Sequence, residues 1–473
     1  MNELVVYMNQ TCFIDEKLIN DLLNEKANPP EEDIKRILDK ALLLKGLELD
    51  EVAALINISN NNSLKKLFKT ALKIKKLIYG NRLVLFAPLY VSNHCSNNCL
   101  YCGFRRDNKD MRRKCLTLEE IKEEARIILE QGHKRILMLM GEHASECSFD
   151  YFLKAIEAAY SVEDSKNSSI RRINVEIAPL TKEEFQKLNK VKIGTYTVFQ
   201  ETYHRETYEQ MHPSGKKSDY SWRLYVMDRA LKNGLNDVGI GALFGLYDYR
   251  FEVLALIQHA KHLDEKYGVG PHTISIPRIE YAQNAPCAMN IPNPVSDEDF
   301  KKLVAVLRCA VPYTGMILST RESPEMRTQV FNLGISQISA GSKTNPGGYN
   351  ESLVNPEDEE QFSLNDTRST GEVIKSVIKQ GFVPSFCTGC YRLGRVGRDF
   401  MELAKPGLIR LHCLPNALTT LKEYLVDYAD DETKQEGEEL IKKELANIPD
   451  VKRREKTEEY LGRIEDGERD LYF

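Results

Sequence analysis

The chain has 473 residues, 42% apolar and 29% charged, enough nonpolar material for a large core or about three average domains, which excludes the disordered and fibrous classes. Lys and Arg total 65 against 70 Asp and Glu, and a net charge of -5 provides no global basic field for a phosphate backbone, so nucleic acid is not expected as a partner. The longest apolar run, 84–91, is far short of a membrane span, and the start MNELVVYMNQ lacks a basic stretch ahead of a hydrophobic one; the expectation is a cytoplasmic protein with no membrane partner.

Residues 1–82 read as a helical extension, with apolar periodicity over 33–45 and 63–78 and an Asn-rich break at 57–62. From 83 the pattern changes to short β-rich runs at 84–91, 135–140, 173–178, 195–200, 237–244, 273–278, 316–320 and 337–340. Helical stretches fall between them, at 117–130, 149–160, 182–189, 220–233, 251–267, 297–310 and 324–332. A strand every 30 residues or so, about one βαβ unit, predicts an α/β fold: a (β/α)8 TIM barrel over 83–343 with its chemistry at the strands' C-terminal ends. Residues 344–371, rich in Asn, Gly, Pro and acids, read as a linker or surface excursion. Helical patterning resumes over 372–473, and the charge of 431–469 is expected on solvated helix faces.

Eleven cysteines are unevenly spread, and in a long chain without a secretion signal tight groups argue for metal or redox chemistry before disulfides. NHCSNNCLYCGF places Cys95, Cys99 and Cys102 as Cys-x3-Cys-x2-Cys directly after the first run. That spacing is also one helix face, but Asn93, Ser96, Asn97 and Asn98 are loop formers. Three thiolates suit a [4Fe-4S] cluster with one iron left open; a structural zinc would need a fourth ligand, and His94 is adjacent to Cys95. A second group, PSFCTGCYRLGR followed by IRLHCLPNAL, gives Cys387, Cys390 and Cys413. Zinc with His412 as the fourth ligand competes there with a second cluster. Cys12, Cys115, Cys147, Cys287 and Cys309 are scattered and read as structural.

Cys-x3-Cys-x2-Cys with the aromatic Tyr101 before its last cysteine resembles the radical S-adenosylmethionine (SAM) superfamily. The resemblance implies that the open iron is chelated by SAM, whose reductive cleavage releases methionine and a 5′-deoxyadenosyl radical. Tyr101 would then belong to the cofactor site. Met140-Gly141-Glu142 resembles the element that holds the SAM ammonium, Glu142 supplying negative charge, and Arg223 in WRLYVMDRALKNG resembles the arginine that pairs with the SAM carboxylate. Glu176 in VEIAP and Glu201 in FQETYH end predicted strands, where they would meet SAM's ribose or the substrate.

Taken with the second cysteine group, the stretches HPSGKKSDY, DVGIGALFGLYDYR, GVGPHTISIPR, ILSTRE and ISQISAGS resemble, over essentially the whole chain, the radical SAM tyrosine lyases of [FeFe]-hydrogenase maturation. The resemblance implies cleavage of the L-tyrosine Cα–Cβ bond to p-cresol and dehydroglycine. It further implies conversion of dehydroglycine to carbon monoxide and cyanide at the C-terminal cluster, on an additional iron held by a free cysteine. A low-potential electron donor and hydrogenase assembly proteins are the implied partners. Arg321 after the seventh run would pair with the substrate carboxylate, with Ser339 adding a hydrogen bond. The family also uses a histidine for the additional iron; His259 is the expectation here, with His262 three residues on. The alternative is the related 2-iminoacetate synthase of thiamine biosynthesis, which stops at dehydroglycine; the C-terminal cysteines separate the two.

Overall fold

The computed structural model of the chain describes residues 12–166, 168–350 and 360–473. Each of the eight β-rich runs contributes a strand: β1 (Arg82–Ser92), β2 (Arg135–Met140), β3 (Arg172–Glu176), β4 (Tyr196–Thr197), β5 (Val238–Gly241), β6 (Thr273–Ser275), β7 (Gly315–Leu318) and β8 (Gln337–Ser339). They pair in parallel and in order, and β1 pairs with both β8 and β2, so the sheet closes on itself. The intervening helices start on designed signals. Thr117, Thr181 and Ser369 each form a reciprocal capping box with the Glu three residues on, while Ser148, Ser296 and Ser323 accept from a backbone N–H of the first turn. The chain is a closed parallel (β/α)8 barrel.

Three features depart from the expected pattern. A ninth strand, β9 (Val383–Ser385), pairs in parallel with β1 at Arg82–Val84, just ahead of the stretch of β1 that pairs with β2. Its brevity and its Pro384 hid it among helical signals, and proline is tolerated there because β9 is an edge strand. The stretch read as one helix at 220–233 is two, Tyr220–Leu224 and Val226–Lys232, broken at Tyr225. The segment 344–371 is no free linker where it is described. Thr344 and Asp366 are buried, and Asp366 pairs with the fully buried Arg327, a cation that a dry interior tolerates only with a counter-charge.

The N-terminal helices Glu16–Glu25, Glu31–Ala41, Leu49–Ile56 and Asn61–Tyr79 pack against the barrel's outer helices Tyr249–Tyr267 and Asp297–Ala310. At the other terminus, helix Arg410–Asp427 packs on β9, and Asp431–Leu445 and Val451–Glu465 pack on that helix. Among the described residues no helix is long and apolar enough to cross a membrane.

Candidate active site

The first site forms where β1 ends. Cys95, Cys99 and Cys102 line one pocket with Gly141 and Glu142 after β2, Glu176 at the end of β3, Glu201 after β4, and Lys217 and Arg223. Gly141 is required by space. A Cβ there would lie 2.3 Å from the His94 carbonyl oxygen and 3.4 Å from Cys95 Cβ, so only glycine lets the β2 end approach the cysteine loop this closely. The approach is fixed by the Ser96 N–H donating to Glu142 O (2.8 Å) and by Asn97 Nδ2 donating to Glu142 Oε2 (2.6 Å). The same Asn97 amide lies 3.8 Å from Cys95 Sγ.

Opposite the thiols sits a charged triad. Glu201 Oε1 accepts from Lys217 Nζ (2.6 Å) and Arg223 Nη2 (3.2 Å), while Arg223 Nε donates to Phe199 O (2.6 Å). Burial works against the Glu201 charge, but Lys217 and Arg223 hold the carboxyl below its ordinary range. Glu201 has φ 73, a left-handed conformation that a non-glycine residue adopts at a cost. Glu176 lacks such a partner: burial, then the Glu201 charge, push it up to about 7. Burial pushes the Cys99 thiol up to about 12, so metal binding there must displace a proton.

These residues fit a SAM-chelated cluster. Three thiols offer sulfur ligands to a site that also holds carboxylates for an ammonium and ribose and a guanidinium for a carboxylate. Among the described residues no three His, Cys, Asp or Glu side chains converge as the ligands of a single ion would. Tyr101 stands apart from the pocket lining. Its O–H donates to His212 Nε2 (2.7 Å), because His212 Nδ1 donates to Tyr208 O (2.7 Å) and burial keeps the ring neutral, lowering its pKa to about 3.

A second pocket fills the upper barrel and shares Tyr90, Leu139, Glu176 and Gln361 with the first. Arg321 lines it, stacked 3.3 Å from the Phe362 ring centroid. Ser339 lines it too, its Oγ accepting from the Thr320 N–H (3.1 Å) and so holding the turn that carries Arg321. Gln361, from the segment expected to be a linker, accepts from Tyr90 Oη (2.8 Å) and donates toward Cys102 Sγ (3.6 Å).

The C-terminal cysteines lie at the opposite, N-terminal end of the strands. Arg82, the first residue of β1, lies near Cys413 and Cys387, and its buried Nε and Nη1 have no hydrogen-bond partner among the described residues. A buried guanidinium with unused donors beside three thiols fits a thiolate-bound, anionic group. Tyr391, next to Cys390, plugs the barrel floor. Its hydroxyl meets Arg135 Nη2 (3.1 Å), Thr195 Oγ1 (2.9 Å) and His272 Nε2 (3.3 Å), and Arg172 stacks on its ring at 4.0 Å. His272 Nδ1 is 3.3 Å from Asp237 Oδ1.

His259 is placed elsewhere. It lies mid-helix, its Nδ1 paired with Tyr203 Oη (2.8 Å) and its ring tilted on Phe13 (5.1 Å). His262 stacks on Phe13 (3.9 Å) and meets Asp228 (3.0 Å). Both serve the packing of the N-terminal extension; near the C-terminal cysteines stand His412, adjacent to Cys413, and His272, which meets Tyr391 beside Cys390. Lys217, Tyr391, Arg82 and His272 were not singled out from sequence. For His272 and Lys217 a signal existed, since they lie in GVGPHTISIPR and HPSGKKSDY, the former directly ahead of a strand.

The chain matches the Radical SAM superfamily over residues 89–260 and the Biotin and Thiamin Synthesis associated domain over 275–383. It is 33% identical to 2-iminoacetate synthase of Escherichia coli over 365 residues, 76% of this chain and 92% of that protein. A solved structure described as HydG, a maturase of the [FeFe]-hydrogenase, superposes with a TM-score of 0.94 at 52% identity, covering 98% of this chain and 100% of that one. The chain belongs to the radical SAM family, in its HydG branch. The HydG structure from Carboxydothermus hydrogenoformans gives a TM-score of 0.82 at 41% identity, over 94% of this chain and 97% of its own. A radical SAM enzyme of this HydG type implies SAM and a [4Fe-4S] cluster.

Proposed function

We propose that this chain is a tyrosine lyase of [FeFe]-hydrogenase maturation, cleaving L-tyrosine to p-cresol and dehydroglycine and converting the latter to carbon monoxide and cyanide. One observation carries the reading: two cysteine triads stand at opposite ends of a single barrel, the first beside a SAM-type charge set and the second beside His272 and Tyr391. When bound, SAM on a cluster with an open iron supplies a hydrogen-abstracting radical, and a C-terminal cluster with an additional iron and a free cysteine supplies the site where carbon monoxide and cyanide are retained.

The chain's own residues do the rest. Arg223 and Glu142 hold the two charged ends of the SAM amino-acid moiety, and Glu201 keeps Arg223 oriented from below. Arg321 offers its guanidinium to the substrate carboxylate, and Ser339 fixes the turn beneath it. Glu176, on the wall shared by both pockets and raised to about 7, is placed to accept a proton from the substrate ammonium. The apolar wall of Phe86, Pro88, Leu137 and Leu139 excludes water from the phenol ring. At the floor, His272 in place of His259 is the imidazole positioned for the additional iron, with Asp237 orienting its other ring nitrogen. The working compartment is the cytoplasm, and hydrogenase assembly proteins receive the product.

Incubation with tyrosine, SAM and dithionite under anaerobic conditions should give p-cresol, carbon monoxide and cyanide. Cys387→Ser with Cys390→Ser should retain p-cresol while carbon monoxide and cyanide disappear. If the double variant's product profile matches that of the unaltered protein, with dehydroglycine as the end product in both, the 2-iminoacetate synthase reading suggested by the E. coli relative takes its place.

A further inference from the structure

A chain with a net charge of -5 concentrates six basic residues against two acids in positions 103–114, GFRRDNKDMRRK, immediately after Cys102. The loop is held rigidly. Arg113 Nη1 donates to Asn93 O (2.7 Å) and Phe104 O (2.8 Å), and its Nη2 to Arg105 O (2.7 Å) and Asn108 O (3.3 Å). Both acids are engaged locally: Asp107 accepts from Asn98 Nδ2 (2.6 Å) and from Arg106 Nε (3.4 Å), and Asp110 accepts from Asn284 Nδ2 (2.8 Å), which leaves the loop with a net excess of four positive charges. Arg106, Lys109 and Arg112 are exposed.

The loop is also wired to the cysteines. The Arg105 N–H donates to Cys102 O (3.1 Å) and the Arg106 N–H to Asn97 O (2.8 Å), and the Asn97 side chain reaches Cys95 Sγ (3.8 Å). Electron tunnelling falls steeply with distance, so a donor reaches this site fastest through surface that touches its ligands. Positive charge on that surface selects a negatively charged partner and speeds encounter.

We propose that the 103–114 loop is the docking surface for a small acidic one-electron carrier protein that reduces the cluster bound by Cys95, Cys99 and Cys102. The carrier loses one electron and the cluster gains it. The inference rests on the radical SAM assignment and adds where, and to what chemistry of partner, the chain is open.

The test uses the anaerobic holoenzyme, with flavodoxin hydroquinone as carrier and dithionite as a carrier-free reductant. Replacing Arg106→Glu, Lys109→Glu and Arg112→Glu together should raise the flavodoxin Kd at low ionic strength about tenfold or more, and lower flavodoxin-driven 5′-deoxyadenosine formation by a similar factor. The difference should vanish at high salt, while dithionite-driven formation stays within about twofold, since small anionic reductants need no docking. An unchanged Kd and an unchanged flavodoxin-driven rate in the variant would overturn the proposal. If the unaltered protein fails to cleave SAM with dithionite, the enzymatic reading falls instead, and the Kd comparison still decides the docking surface. Should the charge-reversed protein not fold, the triple Gln variant takes its place, with an expected rise of about threefold.

Discussion

Gly141 shows how far a single missing methyl group reaches. Because a Cβ would collide with the His94 carbonyl, Gly141→Ala must push apart the β2 end and the loop that carries Cys95. Iron and sulfide content after anaerobic reconstitution should fall to well under that of the unaltered protein, with the C-terminal set still loaded. Arg223→Lys tests the other wall. A lysine keeps the charge but cannot both donate to Phe199 O and present a planar fork, and loss of a hydrogen bond to a charged group, worth about 1.5–3 kcal/mol, should weaken SAM binding by roughly tenfold or more in equilibrium titrations. At this scale the cysteines were legible in the sequence because their function demands close spacing along the chain. Arg82 and Tyr391 were not, since each meets its cysteine group only after the barrel closes, and no local pattern distinguishes them from ordinary surface or core residues.

Among the elements, the turn after β4 is braced by a carboxyl from a neighbouring helix. Glu252, from helix Tyr249–Tyr267, is buried without a cation; it accepts from Thr202 Oγ1 and from the Tyr203 N–H (2.9 Å), beside the left-handed Glu201. Burial raises its carboxyl to about 8 from 4.5, so the neutral form is the one that fits. A folded-state value above the unfolded one means that this contribution to stability is full below about pH 4.5, declines as the pH rises, and is lost once it passes about 8. Glu252→Gln should therefore flatten the pH dependence of the unfolding temperature across that window with little other change. Glu252→Ala, which strands the Tyr203 N–H, should cost about 1–3 kcal/mol in chemical denaturation. The eight barrel strands were readable because strands buried on both faces appear as continuous apolar runs. The three residues of β9 fall below the length at which such a run stands out, and the break at Tyr225 arises from packing that periodicity does not encode.

For the molecule as a whole, the C-terminal helices are part of the barrel through β9. Cutting the chain after residue 370 would strip β9 from Arg82–Val84 and leave an apolar strand edge open to other copies. A chain ended there should aggregate on purification, and size-exclusion chromatography of the soluble fraction, compared with the full chain, reads the effect. The order of elements, strand after helix eight times, was legible end to end; the return of the tail to the first strand was not, because pairing at so long a separation leaves no periodic trace.

β1 begins at Arg82, which lies near Cys413, and stops three residues short of Cys95. Its eleven residues, at about 3.3 Å each, act as a rigid ruler of about 36 Å. No atom can be handed directly from one rim to the other. On the proposed two-site reading, a product released above would pass Asn174, Thr197, Ser275 and Gln337, which line the upper cavity, a lining that suits a small solute able to trade water for amide and hydroxyl contacts better than an aromatic by-product.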